Sequence, residues 1–436
     1  MVSTHDSPSP KLRVAVAGGG IAGLSIAIAL RRHAGVDIQI YERTKQFREI
    51  GASISLAPNG LRTLEKIGAS NALDSAVCTR QKSDNPMIYR HWKTGEVIAT
   101  DVHKTVTTKR HFTARYHRAH LHKALLENVP SEIVHLGKKI VHIEVEVEGG
   151  GVTLSFEDGT TAEADICIGA DGLHSNVRKA FVPTHTLRAT GWVALRSTLE
   201  SSLLNGIDFP EDAAHWIGPD RTFFHSHLGK GLFTVVGSLH FDPAEPNEDM
   251  KWDHSYSMDA FKRLYEGWHP AVRSLIDATP TTRLYPNMAG SPLDTWVFAN
   301  RVTLAGDAAH THGGAFAAGG SLAIDDAYAL SLALEHVWPA ASAHLRKPTD
   351  EELAAVFRLY EATRKPHINK IMAAASQQVI GNKAKSAPDE TQTEKFLRQR
   401  VDSRPDPSWI SEHDVEKAFQ TAVREMETAR SWCVIL

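Results

Sequence analysis

The sequence predicts an α/β protein in which one domain, built on a parallel βαβ unit, is interrupted by a sheet-rich second domain and followed by helices. Three observations lead there. A short apolar strand runs through glycines into a helical pattern near the start; a central region alternates aromatic and aliphatic runs; the strand, glycine and helix pattern then returns near residue 301. The 436 residues leave room for two to four domains at ~100–200 residues each, and 42% hydrophobic residues suffice for a buried core. Lys and Arg number 48 against 51 for Asp and Glu, a net charge of −3, so neither nucleic acid nor an anionic membrane is expected as partner. The three cysteines, Cys78, Cys167 and Cys433, show neither a disulfide framework nor metal-ligand spacing. A reducing, cytoplasmic setting without a metal is the expectation.

The elements follow in order. Residues 1–10 are polar and Pro-rich and are expected to form a disordered arm. The run Leu12–Ala17 reads as a strand, a helical pattern starts near Ile21, and DIQIYE at 37–42 reads as the next parallel strand. At 142–160, period-two alternation around Gly149-Gly150-Gly151 predicts an antiparallel hairpin rather than a phosphate loop. Residues 185–292 form the second domain. Residues 293–345 rejoin 11–184, with a helix starting near Gly320 or Ser321. Residues 346–436 read as helical around a polar linker at 382–406, the last helix opened by Ser411-x-x-Asp414. No stretch reaches the ~18 apolar residues of a membrane span. The terminal Cys433-Val434-Ile435-Leu436 fits a prenylation box but lacks a polybasic run upstream, and reads as a chance match.

Gly18-x-Gly20-x-x-Gly23 sits between the first strand and helix, where small residues let the backbone approach a pyrophosphate at a helix N-terminus. Glu42 ends the next strand, nineteen residues after Gly23, where a carboxylate can accept hydrogen bonds from ribose hydroxyls. Together they predict a Rossmann-like dinucleotide site, open at this point to NAD or FAD. A single fingerprint argues against a second nucleotide domain.

Three further segments, RYHRAHLHKALLE (115–127), ADICIGADGLHSNVR (164–178) and RVTLAGDAAH (301–310), resemble those of the FAD-dependent aromatic hydroxylases, the single-component flavoprotein monooxygenases. The resemblance continues through REIGASISLAPNGLRTLEKIG (48–68) and PLDTW (292–296), and approaches the salicylate-hydroxylase branch in WISEHD (409–414). It implies FAD as cofactor, with NADPH or NADH as transient reductant and O2 as oxidant. By this resemblance Arg118 and Asp171 lie near the flavin pyrophosphate, and Asp307 accepts from the ribityl hydroxyls. Gly319 and Gly320 open a helix whose amides face the flavin. An ion pair for Arg118 and Asp171, or a turn cap for Asp307, is the plain alternative.

After GDAAH the family pattern has a proline and Gly-x-Gly; here Gly314 stands at the proline and Ala317 at the first glycine. The variant HGGAFAAGGS resembles that of fungal hydroxylases that dearomatise resorcylic polyketides. This resemblance implies an oxygen transfer through a flavin C4a-hydroperoxide to a phenolic polyketide aldehyde or ketone, leaving a quinol, in secondary metabolism. A salicylate-type decarboxylating hydroxylase and an uncoupled NAD(P)H oxidase are the alternatives. Arg196 is the leading catalytic candidate, a permanent charge able to lower a phenol pKa, against a solvated strand arginine. His225 and His227, two apart on a strand, are candidates to hold or deprotonate the phenol, against a polar strand face. Tyr116 is a substitute donor, since Phe223 and Phe224 stand where the subgroup has a phenol; His310 and His312 read as flavin-pocket residues.

Overall fold

The computed structural model describes residues 11–47, 53–146, 150–241, 252–343, 346–383 and 390–435. The expected arm at 1–10 lies outside them. So does the complete terminal Cys433–Leu436 box, since Leu436 and the side chains before it are not described.

The βαβ unit forms as expected. Leu12–Ala17 is the centre of a six-stranded sheet, flanked in parallel by Val36–Glu42 and Ile166–Gly169. Val302–Leu304 extends it beyond Ile166–Gly169, again in parallel, which is how the segment after residue 293 rejoins the first domain. The helix Ile21–Leu30 is apolar on almost every side because it is covered everywhere: the sheet lies on one flank and the long helix Gly319–Val337 on the other. The hairpin also forms, with Ile140–Val145 antiparallel to Val152–Phe156.

The second sheet has eight strands and centres on the 14-residue strand Leu187–Glu200, which bulges between Ala189 and Val193. Its far edge departs from the expected boundary. Ile88–His91, from the sequence assigned to the first domain, pairs in parallel with Ala214–Ile217, and Val97–Thr100 in turn pairs with Ile88–His91. Strands of four residues carry too short a pattern to declare which sheet they join. One face of this sheet packs Phe223, Phe233 and Trp216 against the helices Met258–Leu264 and Pro270–Asp277. The other face turns toward the first domain.

The C-terminal helices share the core of the first domain, with Phe357, Tyr360 and Ile371 buried among its residues. Two expectations are corrected here. The polar segment 382–406 contains the helix Glu390–Asp402, whose Glu394 and Arg398 pair one turn apart and whose Glu394 also pairs with His91. The last helix starts at Val415, capped by Asp414, which accepts from the Glu416 and Lys417 amides at 3.1 and 3.2 Å; Ser411 instead ends the short helix Ser408–Ser411.

Candidate functional site

A cavity of about 840 Å³ runs from the first βα turn to the inner face of the second sheet. At the turn, Gly18 has φ +103°, and a Cβ there would lie 2.6 Å from the Ala170 carbonyl oxygen. Gly23 does not line the cavity; its bare α-carbon lets the helix close on the turn. Nothing stands within 4 Å of where a Gly20 Cβ would be, so this glycine keeps open space rather than protein packing. Glu42 accepts from the Gly19 amide at 2.8 Å and the Thr44 amide at 2.9 Å, which fixes its carboxylate at the cavity wall. His122 meets the Gly19 carbonyl oxygen at 2.7 Å from beyond it, and burial lowers its pKa.

Arg118 opens the helix Arg118–Leu126 and lines the cavity. Burial lowers its pKa, while the charges of Asp307 and Glu42 act in the opposite sense, so it faces both carboxylates. Asp171 Oδ2 accepts from the first amides of the helix Asn176–Phe181, those of Asn176 and Val177, at 2.7 and 3.2 Å, while Ser175 is the N-cap. Asp171 Oδ1 is buried with no hydrogen-bond partner within reach among the described residues, and burial pushes the carboxyl up. Asp307 is exposed to the cavity from the turn Gly306–Ala308.

That turn is held from behind by residues that a motif reading does not single out. Arg178, buried, donates to the carbonyl oxygens of Asp307 at 3.1 Å and Ala308 at 2.9 Å. Asp326 accepts at Oδ2 from the Gly306 amide at 2.8 Å and meets His310 Nε2 at 2.6 Å, while its Oδ1 accepts from Arg364 Nε at 2.8 Å. Burial works against the Asp326 carboxylate, but His310 and Arg364 outweigh it and hold its pKa at about 2. His310 is therefore a buried structural partner, and the pocket role expected for it is corrected. Arg178 had a signal, as the last residue of the quoted run HSNVR; Arg364 had none, because its partner is 38 positions away.

Beyond Asp307 the chain passes Gly313 and Gly314 and then places Phe316 and Ala317 at φ +59° and +51°. Ala317 thus adopts the left-handed backbone for which a glycine is the usual residue. The helix Gly319–Val337 follows with no side-chain cap and no acidic residue in its first turn, so its free amides face the cavity beside Gly319 and Gly320.

On the second sheet, register decides which candidates reach the cavity. Arg196, Val236 and Phe224 are cross-strand partners and share the inner face. Arg196 lines the cavity with its guanidinium 6.0 Å from the Tyr285 ring centroid and no carboxylate paired to it among the described residues; burial lowers its pKa. Tyr285 donates to Asp253, and burial, then that bond, pushes its hydroxyl up to about 12.

His225 and His227 share the opposite face with Val235 and Phe233, so the expectation that they handle a phenol is corrected. His225 is stacked on Phe233 at 5.8 Å, and His227 pairs with Glu211 at 3.7 Å. Tyr116 is corrected too. It pairs with Ile54 in a small sheet and is buried beside Cys78 rather than in the cavity.

The profile of the "FAD binding domain" family matches residues 11–204 and 266–372. A 6-hydroxynicotinate 3-monooxygenase of Pseudomonas fluorescens is 31% identical over 94% of this chain and 96% of its own. The chain belongs to the FAD-dependent aromatic monooxygenases. A 6-methylsalicylate 1-monooxygenase of Aspergillus terreus is 30% identical over 76% of both chains. A salicylate hydroxylase solved with its substrate superposes with a TM-score of 0.76 at 25% identity, over 95% of this monooxygenase and 98% of that chain. Its cofactor is FAD, with NAD(P)H and O2 as the co-substrates of the reaction. The residues present fit that group: the open side of Gly20, the Arg118 guanidinium and the uncapped helix at Gly319 all line one cavity. No helix among the described residues is long and apolar enough to cross a membrane.

Proposed function

We propose that this monooxygenase hydroxylates a phenolic polyketide bearing an aldehyde or ketone, with dearomatisation to a quinol, as part of secondary metabolism. The observation that carries the reading is Arg196, a half-buried side chain whose Nε is shielded from solvent and whose guanidinium has no carboxylate partner among the described residues, facing the cavity from the second sheet. A charge buried without an internal partner is unfavourable unless a ligand supplies the opposite charge, and a phenolate does so. Holding the ring as phenolate also makes its carbons electron-rich enough to accept an electrophilic oxygen. FAD, once bound and reduced by NAD(P)H, supplies the activated oxygen. Gly18, Gly20, Glu42, Arg118, Asp171 and Asp307 would hold it, and the amides at Gly319 and Gly320 would favour negative charge on its ring. If the attacked carbon bears a methyl group, proton loss cannot restore aromaticity and the quinol remains.

A second reading, decarboxylating hydroxylation of a salicylate-type acid, is favoured by the 6-methylsalicylate and salicylate hydroxylases among the relatives. Arg196 would then hold an acid rather than an acylphenol. The test is to incubate FAD-loaded protein with NADPH and a methyl-substituted resorcylic aldehyde, and to record product mass and ultraviolet spectrum. One added oxygen with loss of the aromatic band supports the first reading. Carbon dioxide and a catechol from a hydroxybenzoate support the second. Peroxide alone from every phenol rejects both.

A further inference from the structure

Where the turn after Asp307 meets the second sheet, beside Gly319, the cavity carries a titratable side chain with no task in the reading above. His312 follows Asp307 by five positions, joins Ala289 on the strand Thr282–Gly290 through a backbone bridge, and lines the cavity. It is 7% exposed, and apart from its own backbone no hydrogen-bonding group among the described residues reaches either ring nitrogen. An imidazole always carries a donor or acceptor on each nitrogen, and burying these unsatisfied is unfavourable. Facing a cavity, the missing partner is a ligand.

The same strand relates His312 to Arg196. Tyr285, beside the Arg196 guanidinium, lies four residues before Ala289, roughly 13 Å along the strand at ~3.3 Å per residue. A substituted aromatic ring and the two side chains fill such a span. Among the titratable groups at this end, Tyr285 already donates to Asp253. Asp307 stands at the turn assigned to the cofactor. Three groups face His312: Asp307 favours its charged form, whereas His310 and the amides of the helix beginning at Gly319 oppose it. Burial, the largest influence, lowers its pKa and so favours the neutral ring, whose unprotonated nitrogen has a free lone pair.

We propose that His312 accepts the proton of a ring hydroxyl as the substrate binds, while Arg196, across the ring, pairs with the negative charge that the ring delocalises onto a second oxygen substituent. The O–H bond breaks, an N–H bond forms on the imidazole, and the electron pair stays on oxygen. A phenolate–imidazolium pair results, and no reductant or oxidant is consumed. This rests on the phenol reading and adds to it a substrate requirement: two polar substituents on separate ring positions.

The test uses FAD-loaded protein without NAD(P)H, titrated with 2,4-dihydroxy-6-methylbenzaldehyde from about pH 5 to about pH 10 while phenolate absorption is recorded. In the wild type the bound probe ionises below the pH at which it does so free. In His312→Gln that ionisation moves up by about one pH unit or more, roughly tenfold in the proton equilibrium. FAD content, and probe affinity at a pH where the free probe is already ionised, stay within about twofold of wild type. Ionisation at the wild-type pH in His312→Gln overturns the proposal while leaving the phenol reading standing. A probe whose spectrum is unperturbed by either FAD-loaded protein overturns the phenol reading, and the role of His312 with it.

Discussion

A Cβ on Gly23 would lie 1.9 Å from the carbonyl oxygen of Gly18, so the first helix can sit against the turn only while residue 23 lacks a side chain. Gly20, three residues earlier, meets nothing within 4 Å and has an ordinary extended backbone at φ −78°. The two glycines therefore separate folding from binding. Gly23→Ala is expected to destabilise by about 1–3 kcal/mol or more, read as a lower thermal midpoint with little FAD retained. Gly20→Ala should keep or slightly raise the midpoint of the apoprotein yet lose FAD, because the methyl group enters the cavity. Equal FAD content in Gly20→Ala and wild type would contradict this assignment.

Ala317 makes the opposite case, a side chain where the backbone favours none. At φ +51° its Cβ crowds its own backbone, so Ala317→Gly should stabilise by roughly 1 kcal/mol before the unfolded-state entropy of glycine offsets part of it. A thermal midpoint that falls would show that the left-handed turn is not retained.

Arg196→Met should retain FAD, since none of the residues around the turn or Asp307 is touched. Turnover at saturating phenol should fall by a factor equivalent to ~2.7–4 kcal/mol of transition-state stabilisation. Unchanged turnover would remove Arg196 from the chemistry.

Asp326 joins Gly306, His310 and Arg364 with no exposure of the Asp326, His310 or Arg364 side chains. Asp326→Asn would leave the Arg364 charge buried beside a neutral group, and about 3–5 kcal/mol of stability should be lost in urea denaturation. Its folded pKa of about 2 lies below the ordinary value near 3.9. The stability it contributes is thus complete above pH ~4 and lost as pH falls through about 2. A wild-type urea midpoint in the variant would refute the account.

Burial holds His225 at about 3, against ~6.5 for an exposed imidazole. Between those values the unfolded chain binds a proton that the folded one does not, so stability is highest above pH ~6.5 and declines as pH drops toward 3. His225→Leu should flatten that decline without changing turnover near pH 7.5. His367 and His413, held at about 2 and about 4, keep part of the slope. Lost turnover in a well-folded His225→Leu would return this residue to the site.

The FAD end was legible because its chemistry is written in consecutive residues. Gly18, Gly20, Glu42, Arg118, Asp171, Asp307, Gly319 and Gly320 line one cavity in the structure. Each stands where a strand meets a turn or a helix begins, and such junctions have short-range signatures. On the second sheet the inward-facing position of Arg196 was legible, whereas His225, His227 and Tyr116 were misread, since none of them lines the cavity. A strand pattern shows that residues alternate, but the face that turns inward depends on what packs against the sheet.

By itself the sequence determined the α/β class, the βαβ unit and the dinucleotide turn, because these follow from local periodicity and from spacings within a few dozen residues; the family came from the resemblance of the segments at 115–127, 164–178 and 301–310. Tertiary structure decided which sheet took the strands at 88–100, and brought Arg178, Asp326 and Arg364 around the turn at Asp307. It also left Arg196 and His312 facing the cavity while the paired histidines turned toward the Phe233 core. Those outcomes depend on contacts between residues tens to hundreds of positions apart, where packing and charge compensation, rather than local propensity, select the arrangement.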